Sequence, residues 1–302
     1  MKQNTIPKIK DYSKKTLLDF FRSEAQKYAS ELSKTNLDKK GKASKMNQFL
    51  IKSKQSTINW IPDFGSSQKR LEIILLITYC ANLVMLEFRN EIWNYDYMAF
   101  SRRIGEIWEP FCKLAFEYPV NKIEIIEPLV FSKVQNDLMG DIYAFIADLA
   151  IEDLKKNVLK GYYDKTFSFI DSGSINLSLD LHFKYQNKIY NIDFKSGFNS
   201  NEKGNTNRLL LVGSIYSSIS DEYVNMILVR SSENQNNNYL QTLRNSRYWK
   251  VYCADDAYDE IKKLSGFDIK KWMSDNMDWK NDISSKFKSY LEKNNLLDYL
   301  TW

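Results

Sequence analysis

The stretch NIDFKSG, residues 191–197, sets Asp193 and Lys195 two positions apart in a run that is otherwise mostly apolar. Residues i and i+2 of a strand project from one face, so an acid and an ammonium group stand side by side there. The pair is either a salt bridge or half of a site in which an acid holds a metal ion beside a lysine. Thirteen residues earlier lies Asp180, and LSLDLHFKYQNKIYNIDFKS reads as a β-hairpin. With Gln186 and Asn187 as the loop, Tyr185 faces Lys188, Phe183 faces Tyr190 and Asp180 faces Asp193. With Asn187 and Lys188 as the loop, Asp180 faces Lys195 instead. A shift of two keeps every side chain on its face. One face carries Asp180, His182, Lys184, Ile189, Asn191, Asp193 and Lys195. The other, with Leu179, Leu181, Phe183, Tyr185, Lys188, Tyr190, Ile192 and Phe194, reads as the core side. Opposed carboxylates repel, and a divalent cation or a shared proton lets them coexist.

Other chemistries are poorly supplied. His182 is the single histidine, which excludes two-histidine metal sites, HExxH peptidases and HNH-type nucleases, and any Ser–His–Asp triad would have to use it. Cys80, Cys112 and Cys253 form no CxxC pair, so a zinc ribbon, an iron–sulfur cluster and a disulfide framework are not expected. Neither GxxxxGK[ST] nor GxGxxG occurs. Catalysis, if present, rests on carboxylates, lysines and tyrosines.

An acid on one strand followed by D-x-K on the next resembles the PD-(D/E)xK nucleases, best known from type II restriction endonucleases. The first half is LD (Leu179, Asp180) in place of Pro-Asp, and the second is DFK (Asp193, Phe194, Lys195). The family also sets a glutamate on a helix before the hairpin, often as G-x-x-[aromatic]-E. GEIWE (105–109) matches with Glu109, while Glu106 lies one turn away as the alternative, and Pro110 follows directly. The resemblance covers roughly residues 98–230, and four residues carry it. It implies a restriction-endonuclease-like α/β core, a mixed central β-sheet flanked by helices, with helical N- and C-terminal additions. It further implies Mg²⁺, with Mn²⁺ able to substitute, held by Asp180, Asp193 and the Phe194 carbonyl, and Glu109 binding a second metal through water. Lys195 would orient or deprotonate the attacking water. The expected substrate is double-stranded DNA, cut at a specific site by a homodimer whose twofold axis matches a palindrome. A companion DNA methyltransferase is expected in the same system, but not as a stable subunit. The alternatives are a repair nuclease, resolvase or transposon-end nuclease of the same superfamily, or a non-catalytic DNA-binding protein with a nuclease-like fold.

Two loops, SGFNSNEKGNTNR (196–208) and SSENQNNN (231–238), are rich in Asn, Ser and Gly. They read either as surface loops or as base readers, because Asn and Gln pair with adenine and Arg with guanine. The candidate DNA contacts are Asn199, Asn201, Lys203, Asn205, Asn207, Arg208, Asn236, Arg244 and Arg247.

The elements that must position these residues follow from periodicity. Apolar positions at helical spacing predict helices over 14–33, from about Ser67 to Phe88, over 97–118 with an interruption or restart at Pro110, and over 134–159. KTNLDKKGKASK (34–45) reads as a polar linker. TFSFI, NLSLDLHFKY, KIYNIDFKS, VNMILVR and WKVYC read as strands, with NRLLLVGSIYSSIS as a helix among them. From Asp255 the chain returns to helix. The expected division is a helical, basic region over 1–95, a nuclease core over 96–265 and a helical extension over 266–302. Residues 1–54 hold 14 basic and 5 acidic side chains, a net +9, against −4 for the remainder, which fits either polyanion binding or a solvated helical surface. The longest apolar run, IILLITYCANLVMLEF (73–88), is shorter than a spanning helix and reads as a core helix, and MKQNTIPKIKDYSKK has no apolar stretch of the secretory kind. A cytoplasmic protein with no membrane partner is expected.

Overall fold

A computed structural model describes residues 11–168, 175–199 and 202–302. Four helices come first: α1 (Lys14–Ser33), α2 (Lys39–Asn59), α3 (Ser67–Ile92) and α4 (Tyr97–Glu117). A short strand β1 (Glu124–Ile125) leads to α5 (Phe131–Asp148) and α6 (Asp153–Ser168). The hairpin β2 (Leu181–Tyr185) and β3 (Lys188–Lys195) is followed by α7 (Lys203–Ile219), β4 (Tyr223–Val229), α8 (Asn238–Arg244) and β5 (Lys250–Cys253). The chain closes with α9 (Asp255–Ser265), α10 (Ile269–Asn276), α11 (Trp279–Asp282) and α12 (Ser285–Lys293).

The five strands form one open mixed sheet in the order β1-β2-β3-β4-β5, antiparallel from β1 to β3 and parallel from β3 to β5. The hairpin adopts the first of the two predicted registers, with Tyr185 opposite Lys188 and Leu181 opposite Ile192. Gln186 and Asn187 make the turn at φ 48° and 59°. Positive φ at both central positions matches the right-handed twist of the flanking strands.

Parallel pairing with β4 makes β3 an interior strand with both faces covered. On one side, Leu181, Phe183, Ile192, Phe194, Met226 and Leu228 join a core built from α1, α3, α4 and the C-terminal helices. On the other, Ile227 and Val229 pack with Leu209, Val212 and Tyr216 of α7 and with Leu240 and Leu243 of α8. The hairpin face that carries the acids is therefore buried as well. Helix α3 is long and apolar enough to cross a membrane by length and composition, and 83% of its most apolar window is buried inside the fold.

Four expectations need correction. The predicted linker over 34–45 runs into α2, because Asp38 accepts a hydrogen bond from the Gly41 N–H (2.7 Å) and starts a helix. Its buried side is a narrow seam (Ala43, Met46, Leu50, Ser53, Thr57) that the surrounding lysines mask. Helix α4 continues through Pro110, held by buried Trp108, Phe111, Cys112 and Leu114 on both sides of the lost hydrogen bond. The single helix expected over 134–159 is two, since Leu149 is extended and the Lys156 ammonium caps the Ala147 carbonyl at 2.7 Å. Thr166–Ser168, expected in a strand, end α6, and the rest of TFSFI lies outside the described residues.

Candidate functional site

Strand β2 begins at Leu181, five residues later than the strand expected from Asn176, and this late start builds the site. In the hairpin ladder the Phe194 N–H points toward the position Leu179 would occupy. The chain has already turned away there. The Asp180 carboxylate takes over, its Oδ2 accepting from the Phe194 N–H at 2.7 Å. His182 secures the same turn, its Nε2 accepting from the Leu179 N–H at 2.9 Å. Two side chains thus replace a rung of backbone, and Leu179, expected on the face of Leu181, packs in the opposite layer. The N–H and C=O of one strand residue share an edge, so the Phe194 carbonyl points to the side that β2 has vacated.

His182 is fixed by a chain of amides across three strands. Because Nε2 accepts, Nδ1 carries the proton and donates to Asn191 Oδ1 (2.8 Å). Asn191 Nδ2 donates to Asn225 Oδ1 (2.9 Å), and Asn225 Nδ2 lies 3.2 Å from the Gly213 and Tyr248 carbonyls and from Ser217 Oγ. All three side chains are buried, and burial pushes the His182 pKa below its ordinary value despite the Asn191 hydrogen bond. Asn225 was not anticipated as part of the site. Its signal was an amide near the start of the apolar run VNMILVR, in register with Asn191.

Asp193 is 1% exposed. Its Oδ2 is ion-paired with Lys195 Nζ at 2.6 Å, and no other donor is in line on this buried oxygen. Oδ1 faces the Arg208 guanidinium at 3.7 Å. Burial raises the Asp193 pKa to about 6; Lys195 opposes the rise, and the nearby Asp180 charge adds to it. Lys195 remains about one-fifth exposed and is the member of the pair that reaches solvent.

Asp180, Asp193, Phe194 and Lys195 are therefore brought together. Glu109 is not in the group: it pairs with Lys113 at 2.9 Å on the surface of α4, and Glu106 pairs with Arg102 and Arg103. Among the described residues no cluster of three or more His, Cys, Asp or Glu side chains is placed to hold a metal. Helix α4 still abuts the site. A Cβ on Gly105 would lie 2.8 Å from the Ser196 Cβ, and Trp108 packs edge-on against Phe194.

The proposed DNA contacts divide. Arg208 turns inward to Asp193 and to the Ser178 carbonyl (3.2 Å). Asn236 ties the two loops together, accepting from the Phe198 N–H (2.7 Å) and donating to the Ser232 carbonyl (2.8 Å). Arg244 pairs with Glu233, Asn205 donates to Glu202 (3.2 Å), and Arg247 lies over the Tyr248 ring. Lys203 and Asn207 lie on the exposed surface of α7, Asn199 is exposed just before it, and Asn201 lies outside the described residues. Compared with protein-family models, curated proteins and solved structures, the chain matches none.

Proposed function

We propose that the chain is a Mg²⁺-dependent endonuclease acting on double-stranded DNA, its mixed sheet a restriction-endonuclease-like core. The observation that carries this reading is the buried Asp193 carboxylate, paired with Lys195 at 2.6 Å and set beside a second carboxylate and a strand carbonyl. Structural carboxylates are ordinarily saturated with donors when they leave water. This one has the Lys195 and Arg208 side chains against it, and the Asp180, Asp193 and Phe194 groups that meet here offer oxygen ligands, the preference of Mg²⁺.

Asp180, Asp193 and the Phe194 carbonyl would hold the ion, which keeps several waters of its own and so needs few protein ligands. Bound Mg²⁺ would lower the pKa of a coordinated water and neutralise charge on the phosphate under attack. The chain's own residues do the rest. The Phe194 N–H fixes the Asp180 carboxylate, and the His182–Asn191–Asn225 chain fixes the turn that delivers it. Lys195 donates to the attacking water or to a non-bridging phosphate oxygen, stabilising the charge that develops there. Arg208 holds Asp193 from the α7 side.

The test is cleavage of plasmid and linear duplex DNA by purified protein in Mg²⁺ and in Mn²⁺. Discrete fragments support a site-specific restriction enzyme, and a smear supports a non-specific nuclease. Intact DNA across both metals and varied duplexes rejects the enzyme reading in favour of a DNA-binding protein.

A further inference from the structure

The hairpin of α5 and α6 leaves its apolar surface uncovered. The first turn of α5 is anchored, Phe131 and Val134 packing on the α7 layer. Beyond it only Ile146 is buried, and among the described side chains of α6 none is buried. Phe145 is 67% exposed, Leu154 74% and Tyr162 65%, with Leu138, Val158 and Tyr163 also exposed. Leu154, Val158 and Tyr162 are spaced i, i+4, i+8 and form one stripe. A groove of about 340 Å³ between the helices, floored by Ile142, Ile146 and Leu159, runs beside it. Large aromatics present ~150–250 Å² each, so Phe145, Tyr162 and Tyr163 alone expose roughly 350 Å². With Leu154 and Val158 the exposed apolar surface reaches the size at which the largest patch of a monomer is often functional, ~300–600 Å².

The charges say what covers it. Helix α5 carries Asp137, Asp141 and Asp148 against Lys133, a net −2. Helix α6 carries Lys155, Lys156, Lys160 and Lys165 against Asp153 and Asp164, a net +2. A twofold pairing sets α5 of one copy against α6 of the other and matches both charges at once, as an isologous interface must. A nucleic acid would meet the α5 acids and the apolar stripe, which do not suit it. We propose that two copies of this chain associate through their α5–α6 hairpins, forming a four-helix bundle with Phe145, Leu154, Val158 and Tyr162 at its centre. This inference does not depend on the nuclease reading.

The test is the mass of the full chain in solution, by light scattering or sedimentation at micromolar concentration, with circular dichroism to verify the fold. The wild type should run at twice the chain mass, and Phe145→Glu and Leu154→Glu at the chain mass with unchanged helix content. Charge reversal supplies the second arm. Asp137→Lys with Asp141→Lys, and separately Lys155→Glu with Lys165→Glu, should each give monomers, and an equimolar mixture of the two should dimerise. A monomeric wild type overturns the proposal, as does a dimer untouched by Phe145→Glu and Leu154→Glu. Apolar variants that keep their mass while losing duplex binding would assign the hairpin to DNA and overturn it equally.

Discussion

Glu87 and Asp282, in the helical layer, and Asp180 and Asp193, at the end of the sheet, are carboxylates withdrawn from water in very different ways. Glu87 takes two hydrogen bonds from Arg22, at 2.7 and 3.0 Å, and a third from the Ser284 N–H at 2.6 Å. Asp282 Oδ2 takes the Lys14 ammonium and the Tyr79 hydroxyl, both at 2.8 Å, while its carbonyl accepts from Arg22. This cluster ties α1, α3 and the C-terminal helices together and leaves these acids well supplied with donors. At the sheet the reverse holds. Asp193 is more deeply buried than Asp282, yet its Oδ2 meets the Lys195 ammonium alone, at 2.6 Å, where Asp282 Oδ2 has both an ammonium and a hydroxyl. The first arrangement holds a fold together; the second costs stability, and a bound cation would recover it.

Substitutions can break that contrast. Lys195→Ala should lower DNA cleavage by about 10²–10⁴-fold, the span of a lost general acid–base or charge-stabilising group, and should lower the metal-free melting temperature at pH 8 more than at pH 4, because the buried Asp193 carboxylate loses its nearest cation. Cleavage at the wild-type rate would remove Lys195 from the chemistry. Glu87→Ala should act through the fold, destabilising the chain by about 3–5 kcal/mol in denaturant titrations, because Arg22 is left without its bidentate partner. A loss below ~1 kcal/mol would show that the helical cluster is not a staple.

The pH dependence sharpens the comparison further. A carboxyl whose pKa is raised from 3.8 to about 6 by folding gives its full contribution below pH 3.8 and loses it as pH rises through 6. Metal-free Asp193→Asn should therefore be more stable than the wild type at pH 8, by roughly 2–3 kcal/mol, and the gap should close toward pH 4. A constant gap would mean that the effect is not the carboxylate's charge. His182 has the other sign: its folded pKa lies below 6.5, so its contribution is complete above that value and is lost as pH falls. His182→Ala should cost about 1–3 kcal/mol at pH 8, since the Leu179 N–H and Asn191 are left unpaired, with a smaller penalty at pH 5. It should also loosen Asp180 and weaken metal affinity, which a purely structural histidine would not do.

Much of this was legible in the chain. Strict alternation through LHFKY and KIYNIDFK, with two polar residues between them, carried the hairpin and its register. Asp180, Asp193 and Lys195 followed from that register. What the alternation could not convey is that the polar face is covered. A strand with one polar side reads as half-solvated, and only the parallel pairing of β3 with β4 beneath the apolar α7 reverses that. For the same reason Arg208, legible as a DNA contact, proves to be a partner of Asp193. Asn191 and Asn225 lie 34 residues apart and meet only through the sheet register. Helix α2 was hidden by lysines around a narrow buried seam. Glu109 fits its motif in sequence, but its side chain is engaged by Lys113.

The most direct measurement is calorimetric titration of Mg²⁺ and Mn²⁺ into metal-free protein at pH 8. The wild type should give a saturable isotherm that Glu106→Gln retains and that Asp180→Asn and Asp193→Asn each abolish. A wild type that binds neither ion, or an Asp193→Asn variant that binds as well as the wild type, would contradict a metal site on these carboxylates.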